Sequence, residues 1–223
     1  MKTISIISQK GGAGKTTLAV HLATAAHAEG LVTLIVDTDP QATASTWAQW
    51  RKGGDPEVID CASPPLLSRK LEKASELGAQ LAVIDTPPHA DIMAREACKM
   101  ADLVLIPCRP RAFDLDAVRV TRDLAKSSGK PSFLLFMAGP PRARLLYAEA
   151  SELVTAIGLP IAPVMLPDRA AFHASVGEGL TAQELEPDGK AAREIAELWS
   201  WTSKQVGLQT RKRARSPNAN VQT

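Results

Sequence analysis

At 223 residues, with 45% hydrophobic content and a net charge of +2, the chain has enough apolar material for the core of one α/β domain. Aromatics make up only 4%, so Ala, Leu, Val and Ile must build that core. No apolar stretch reaches the roughly 18 residues of a membrane-spanning helix, and Cys61, Cys98 and Cys108 form no CxxC pair, which argues against a disulfide framework or a zinc site.

Continuous apolar runs near 3–8, 32–37, 57–61, 80–85, 102–107, 132–137 and 161–165 read as strands buried on both faces. Helical patterns alternate with them near 15–29, 41–51, 65–77, 89–100, 113–127, 142–157 and 188–206. Gly30, Gly129 and Gly158 stand where left-handed helix caps belong. The alternation predicts an α/β fold, a doubly wound and mostly parallel sheet flanked by helices. Residues 1–206 are expected to form one domain and 207–223 a disordered tail, which lacks apolar periodicity and contains Ser216-Pro217-Asn218. The first residues enter a strand directly, so no leader is expected and a cytoplasmic location is.

The first strand runs into Gln9-Lys10-Gly11-Gly12-Ala13-Gly14-Lys15-Thr16-Thr17, which opens a helix. A strand, a glycine-rich turn and a helix N-terminus make a phosphate cradle of inward-pointing N–H groups. Lys15 would reach the β- and γ-phosphates and the Thr16 hydroxyl would ligate Mg²⁺. The pattern departs from GxxxxGK[ST] at its first glycine, here Gln9, and adds a second lysine, Lys10. One lysine suffices for the loop's own nucleotide, so the second points to a further electrostatic task.

Lys10-Gly11-Gly12-Ala13-Gly14-Lys15-Thr16 resembles the deviant Walker A motif of the ParA/MinD family of ATPases. Val36-Asp37-Thr38-Asp39-Pro40-Gln41 resembles the family's switch I, and Ala82-Val83-Ile84-Asp85-Thr86-Pro87-Pro88 its Walker B and switch II. The resemblance runs in register to about Trp199. It implies ATP and Mg²⁺ as cofactors and a homodimer on ATP binding, in which Lys10 reaches the partner's nucleotide. It gives Asp39 the water-orienting role and places Thr16, Asp39 and Asp85 around the metal, with Asp37 supporting that shell or purely structural. Leu166-Pro167-Asp168-Arg169 resembles, more loosely, the family's late loop near the adenine and the dimer face. Many relatives carry an asparagine after the strand at 132–137, where this chain has Ala138-Gly139, so the base must be read by other groups.

Hydrolysis is expected to be slow and gated by dimerisation, with Lys10 supplied in trans as an arginine finger is. The favoured reading is a short partition ATPase. Its ATP dimer binds nonspecific DNA, associates with the nucleoid, and is released by a centromere-binding or cargo adaptor protein. Arg109, Arg111, Arg142, Arg144, Lys204 and the basic cluster at 211–215 are candidate phosphate contacts. The tail's bases leave the rest of the chain slightly acidic, a pattern equally consistent with contact and with simple solvation. A MinD-like membrane ATPase is the alternative, as is a positioning ATPase for a protein cargo. Ile195, Leu198, Trp199, Trp201 and Val206 could face lipid, but the same stripe is expected of a last helix packed on a sheet, so membrane binding is the lesser reading.

Overall fold

Six apolar runs pair as parallel strands. The computed structural model describes residues 1–89 and 91–208. Its elements in chain order are β1 (Lys2–Ile6), α1 (Lys15–Ala28), β2 (Thr33–Asp37), α2 (Thr43–Trp50), β3 (Glu57–Asp60), α3 (Leu67–Glu76), β4 (Leu81–Asp85), α4 (Asp91–Met100), β5 (Leu103–Cys108), α5 (Ala112–Ser127), β6 (Ser132–Phe136), α6 (Arg144–Ala156), α7 (Ala170–Gly177), α8 (Ala182–Leu185) and α9 (Lys190–Gln205). The sheet order is β3-β2-β4-β1-β5-β6. Gly30, Gly129 and Gly158 have φ of 87°, 68° and 72° and end their helices as expected.

Strands β2, β4 and β5 are buried along their whole length, and their alternate residues serve two layers. Ile4, Ile6, Ile35, Val83 and Leu105 pack under α1, α2, α7, α8 and α9. On the other face Leu34, Val36 and Ile84 meet α3 and α4, while Val104, Ile106 and Phe136 meet α4, α5 and α6. Trp47 and Trp199 are the largest fully buried side chains. Truncating either to alanine should cost about 3–5 kcal/mol through lost transfer energy and the cavity left behind.

Three departures from the sequence reading have physical causes. The run at 161–165 makes no strand. It offers two isolated parallel bridges to the β6 edge, Leu134 with Ile161 and Met137 with Leu166. Pro160, Pro163 and Pro167 remove the donors a continuous ladder needs. The segment after it, given no helix above, contains α7 and α8. The apolar stripe of the last helix is spent on packing: Ile195, Leu198, Trp199 and Val206 are buried, and Trp201 meets the Phe133 ring edge-on at 5.0 Å. Gly207 and Leu208, assigned above to the tail, continue the domain. Gly207 has φ of 70°, and the Leu208 N–H donates to the Ser203 carbonyl at 2.9 Å. The remainder of the expected tail, 209–223, lies outside the described residues. No described helix is long and apolar enough to cross a membrane.

Candidate functional site

The carboxyl ends of β1, β2, β4 and β5 converge on one edge of the sheet, where ligands bind in open parallel sheets. Asp85 closes β4 in register with Ile6 of β1 on one side and Asp37 of β2 on the other. The glycine-rich loop follows β1 and delivers Lys15 as the first residue of α1. Gly14 caps that helix at φ 93° with no side-chain acceptor, and no acidic residue occupies the first turn, so the leading N–H groups remain available to an anion. A Cβ on Gly14 would lie 3.1 Å from Met137 Cε, the end of a flexible side chain that can give way, so it is the left-handed backbone that calls for glycine here. Ala13 is buried beneath the loop, while Gly11 and Gly12 are exposed.

The Lys15 side chain is buried, and its Nζ donates to the Lys10 carbonyl at 3.4 Å. Burial pulls its pKa down from the usual lysine value, with Asp85 and Asp39 pulling the other way. Asp85 is fully buried and accepts from the Thr16 hydroxyl through Oδ2 at 2.6 Å. Its pKa is raised to about 7, first by burial and then by Asp37 and Asp39, against the opposing pull of the Thr16 hydrogen bond and Lys15. The Asp85 backbone carbonyl takes the Thr38 hydroxyl at 2.7 Å and the Thr38 N–H at 2.9 Å, which fixes the switch-like segment to the end of β4.

The two carboxylates of 37 and 39 part company. Asp37 is buried and caps the first turn of α2 from a distance: Oδ2 accepts from the Ser45 N–H at 2.9 Å and the Ser45 hydroxyl at 3.1 Å, and Oδ1 from the Asp39 N–H at 3.1 Å. Both Asp37 oxygens are thus engaged by protein donors, which ties the end of β2 to the start of α2. Asp39 is half-buried and accepts from the Gln41 N–H at 2.9 Å, leaving its second oxygen uncommitted among the described residues.

Lys10 is half-buried in the loop, and its N–H donates to the Ser8 hydroxyl at 3.3 Å. Thr17 supplies its carbonyl to the His21 ring at 2.7 Å. Pro167 is buried and Asp168 exposed; the Asp168 N–H donates to the Gly139 carbonyl at 2.8 Å, so this loop lies beside the segment that follows β6. Ala138 adopts φ 50°, a left-handed conformation that asparagine tolerates better.

Of the candidate DNA contacts, Arg111, Arg142, Arg144 and Lys204 are exposed, and the 211–215 cluster lies outside the described residues. Arg109 is different. Its Nε and Nη2 donate to the two Asp114 oxygens at 3.2 Å each, beside the loop rather than out in solvent.

Mg²⁺ can be tested against these groups. Asp85 Oδ1 is buried with no hydrogen-bond partner, an acceptor that a cation or its water would satisfy. The described residues hold no cluster of three or more His, Cys, Asp or Glu. Thr16, Asp85 and Asp39 would hold the ion, which would supply positive charge against the phosphates.

A doubly wound sheet carrying this loop and this carboxylate at adjacent strand ends defines a P-loop nucleotide-binding protein. The family model described as the CobQ/CobB/MinD/ParA nucleotide binding domain matches residues 4–182, and the chain belongs to that family. Its ParA and MinD members are ATPases that work with ATP and Mg²⁺. The chain is 34% identical over 196 residues to the maintenance of carboxysome distribution protein A of Gloeobacter kilaueensis, covering 86% of this chain and 88% of that one. It is 36% identical over 116 residues to protein ParA of Rhizobium radiobacter, covering 51% of each. Its fold matches that of the septum site-determining protein MinD of Pyrococcus horikoshii, solved with Mg-ADP, at a TM-score of 0.75 and 19% identity, over 92% of this chain and 97% of that one.

Proposed function

We propose that the protein is an ATP-driven dimerising switch that positions a cargo along DNA. The observation that carries this reading is the pairing of Lys15 and the Thr16–Asp85 contact with a second loop lysine, Lys10. Lys15 and the free N–H groups of α1 would hold the phosphates. Asp39 would orient the attacking water. Lys10, reaching across a dimer, would place positive charge where it develops in the transition state, so hydrolysis would wait for dimer formation. Two copies of a modest basic surface presented together would grip duplex DNA through phosphates without reading sequence. A partner that stimulates hydrolysis would then release it.

A plasmid or chromosomal centromere complex is one cargo. A protein body is the other, and likeness over 86% of the chain to a carboxysome distribution protein favours it over the likeness to ParA, which covers 51%. A lipid-binding role has less support, because Ile195, Leu198 and Trp199 of α9 are buried.

Light scattering tests the switch directly. The wild type should be monomeric with ADP and dimeric with a slowly hydrolysed ATP analogue, and Lys15→Ala should stay monomeric in both. A wild type that remains monomeric with the analogue at high concentration contradicts the proposal.

A further inference from the structure

Arg109 follows the last residue of β5, at the same sheet edge as the glycine-rich loop. A guanidinium carries five N–H donors arranged as a planar fork. Here one edge of the fork, Nε and Nη2, is committed to Asp114 Oδ2 and Oδ1, and Asp114 is itself only 6% exposed. The remaining nitrogen, Nη1, makes no hydrogen bond among the described residues. It faces the loop: a Cβ built on Gly12 would lie 3.9 Å from Nη1 and 4.0 Å from Nη2. Those are ordinary van der Waals distances, so the guanidinium lies directly against the loop, and with φ of 69° a side chain at Gly12 would be strained by the backbone.

An arginine braced on one edge by a buried carboxylate, with the other edge open and turned to a phosphate cradle, is arranged to bind an anion. The brace fixes the plane of the fork, so little side-chain freedom remains to be lost when an oxygen ligand arrives. The side chain is 23% exposed, enough for an incoming phosphate to reach it and little enough for its charge to be only partly screened. A plain surface ion pair would need neither the buried acid nor the approach to the loop.

From this we infer that Arg109 is a further cation of the nucleotide site, donating from Nη1 to a phosphate oxygen of the bound nucleoside triphosphate, and that Asp114 is the positioning residue that keeps it there. The inference rests on the ATP reading above. It supplies the phosphate site with an arginine that the motif residues 9–17 lack, and it reassigns Arg109 from the DNA-contact candidates.

Calorimetric titration of the full chain with a slowly hydrolysed Mg-ATP analogue tests this, at a protein concentration below that of dimerisation. Arg109→Gln should weaken binding about tenfold or more, the range expected for a lost charge-assisted hydrogen bond. Arg109→Lys should recover part of the loss, because it keeps the charge and loses the fork. Asp114→Asn should weaken binding by a smaller factor, and its loss should grow when Arg109 is intact compared with when it is Gln. Thermal unfolding without nucleotide checks that each variant folds. Arg109→Gln that binds as tightly as wild type while Lys15→Ala loses binding overturns the inference and leaves the ATP reading standing. A wild type that does not bind the analogue overturns both.

Discussion

The Thr16 hydroxyl donates to Asp85 Oδ2 at 2.6 Å, joining the first turn of α1 to the end of β4 through two side chains that start 69 residues apart. The other Asp85 oxygen is buried and has no partner. The protein alone therefore holds a carboxylate in a place where ionisation is expensive, and its pKa rises to about 7. A divalent cation reverses that cost, so cation binding and proton release should be linked.

The first prediction follows from that linkage. The unfolded Asp85 titrates near 3.8 and the folded one near 7. Between these values the folded state binds more protons, so the contribution of this group to stability falls as pH rises. Mg²⁺-dependent nucleotide affinity should instead strengthen as pH rises through about 7. Asp85→Asn should be at least as stable as wild type at pH 8 without nucleotide, yet lose most of the Mg²⁺ dependence of binding. Calorimetry at pH 6 and pH 8 checks both, and a Mg²⁺ effect independent of pH would count against an Asp85 role at the metal.

A second prediction separates two acids that the sequence spaces identically. Asp37→Ala should destabilise the fold by about 1–2 kcal/mol, the usual loss for a helix cap, because the Ser45 N–H in the first turn of α2 loses its acceptor. Asp39→Ala should leave thermal stability nearly unchanged, keep ATP binding and slow hydrolysis. Denaturant unfolding beside a phosphate-release assay distinguishes them. Hydrolysis by the Asp39 variant at the parent rate would remove its proposed role.

A third prediction concerns a histidine remote from the chemistry. His21 is fully buried; its Nδ1–H donates to the Thr17 carbonyl at 2.7 Å, and Nε2 accepts from the Ala182 N–H at 3.0 Å. Nε2 cannot take a proton without facing that N–H, and burial lowers the pKa to about 4. In the window from about 6.5 down to about 4 the unfolded state binds more protons, so stability is lost as pH falls. Asp85 acts with the opposite sign over much of the same window, which should flatten the wild-type profile. Asp85→Asn should expose the acid-side loss, and His21→Ala should abolish it while costing about 1–3 kcal/mol for the orphaned Ala182 N–H. Thermal melts from pH 4.5 to 8 would show this.

The chemistry-bearing edge was legible because its residues lie in short contiguous motifs, each directly after an apolar strand. The sheet was legible because strands buried on both faces read as unbroken apolar runs. What escaped lay where packing overrides local pattern. The segment 161–165 is as apolar as a strand, but its prolines leave it with two bridges. Helix α8 has only four residues, too few for apolar periodicity to mark it, and its one local sign is the Thr-x-x-Glu capping box of Thr181 and Glu184. The different fates of Asp37 and Asp39 could not be read from spacing, because Ser45, eight residues on, decides them. Arg109 read as a surface base because Asp114, five residues on, and Gly12, in the loop, meet it only in the fold.

In the proposed function, nucleotide state switches the protein's hold on DNA. The most direct measurement is binding of Asp39→Ala, expected to trap the ATP form, to a duplex of arbitrary sequence with ATP and with ADP over a range of salt concentrations. Binding should be tight with ATP and weak with ADP, should not depend on sequence, and should fall by about 0.9 log units per log unit of salt for each phosphate neutralised. Equal affinity in the two nucleotide states, or ATP-dependent binding to anionic vesicles and not to DNA, would contradict it.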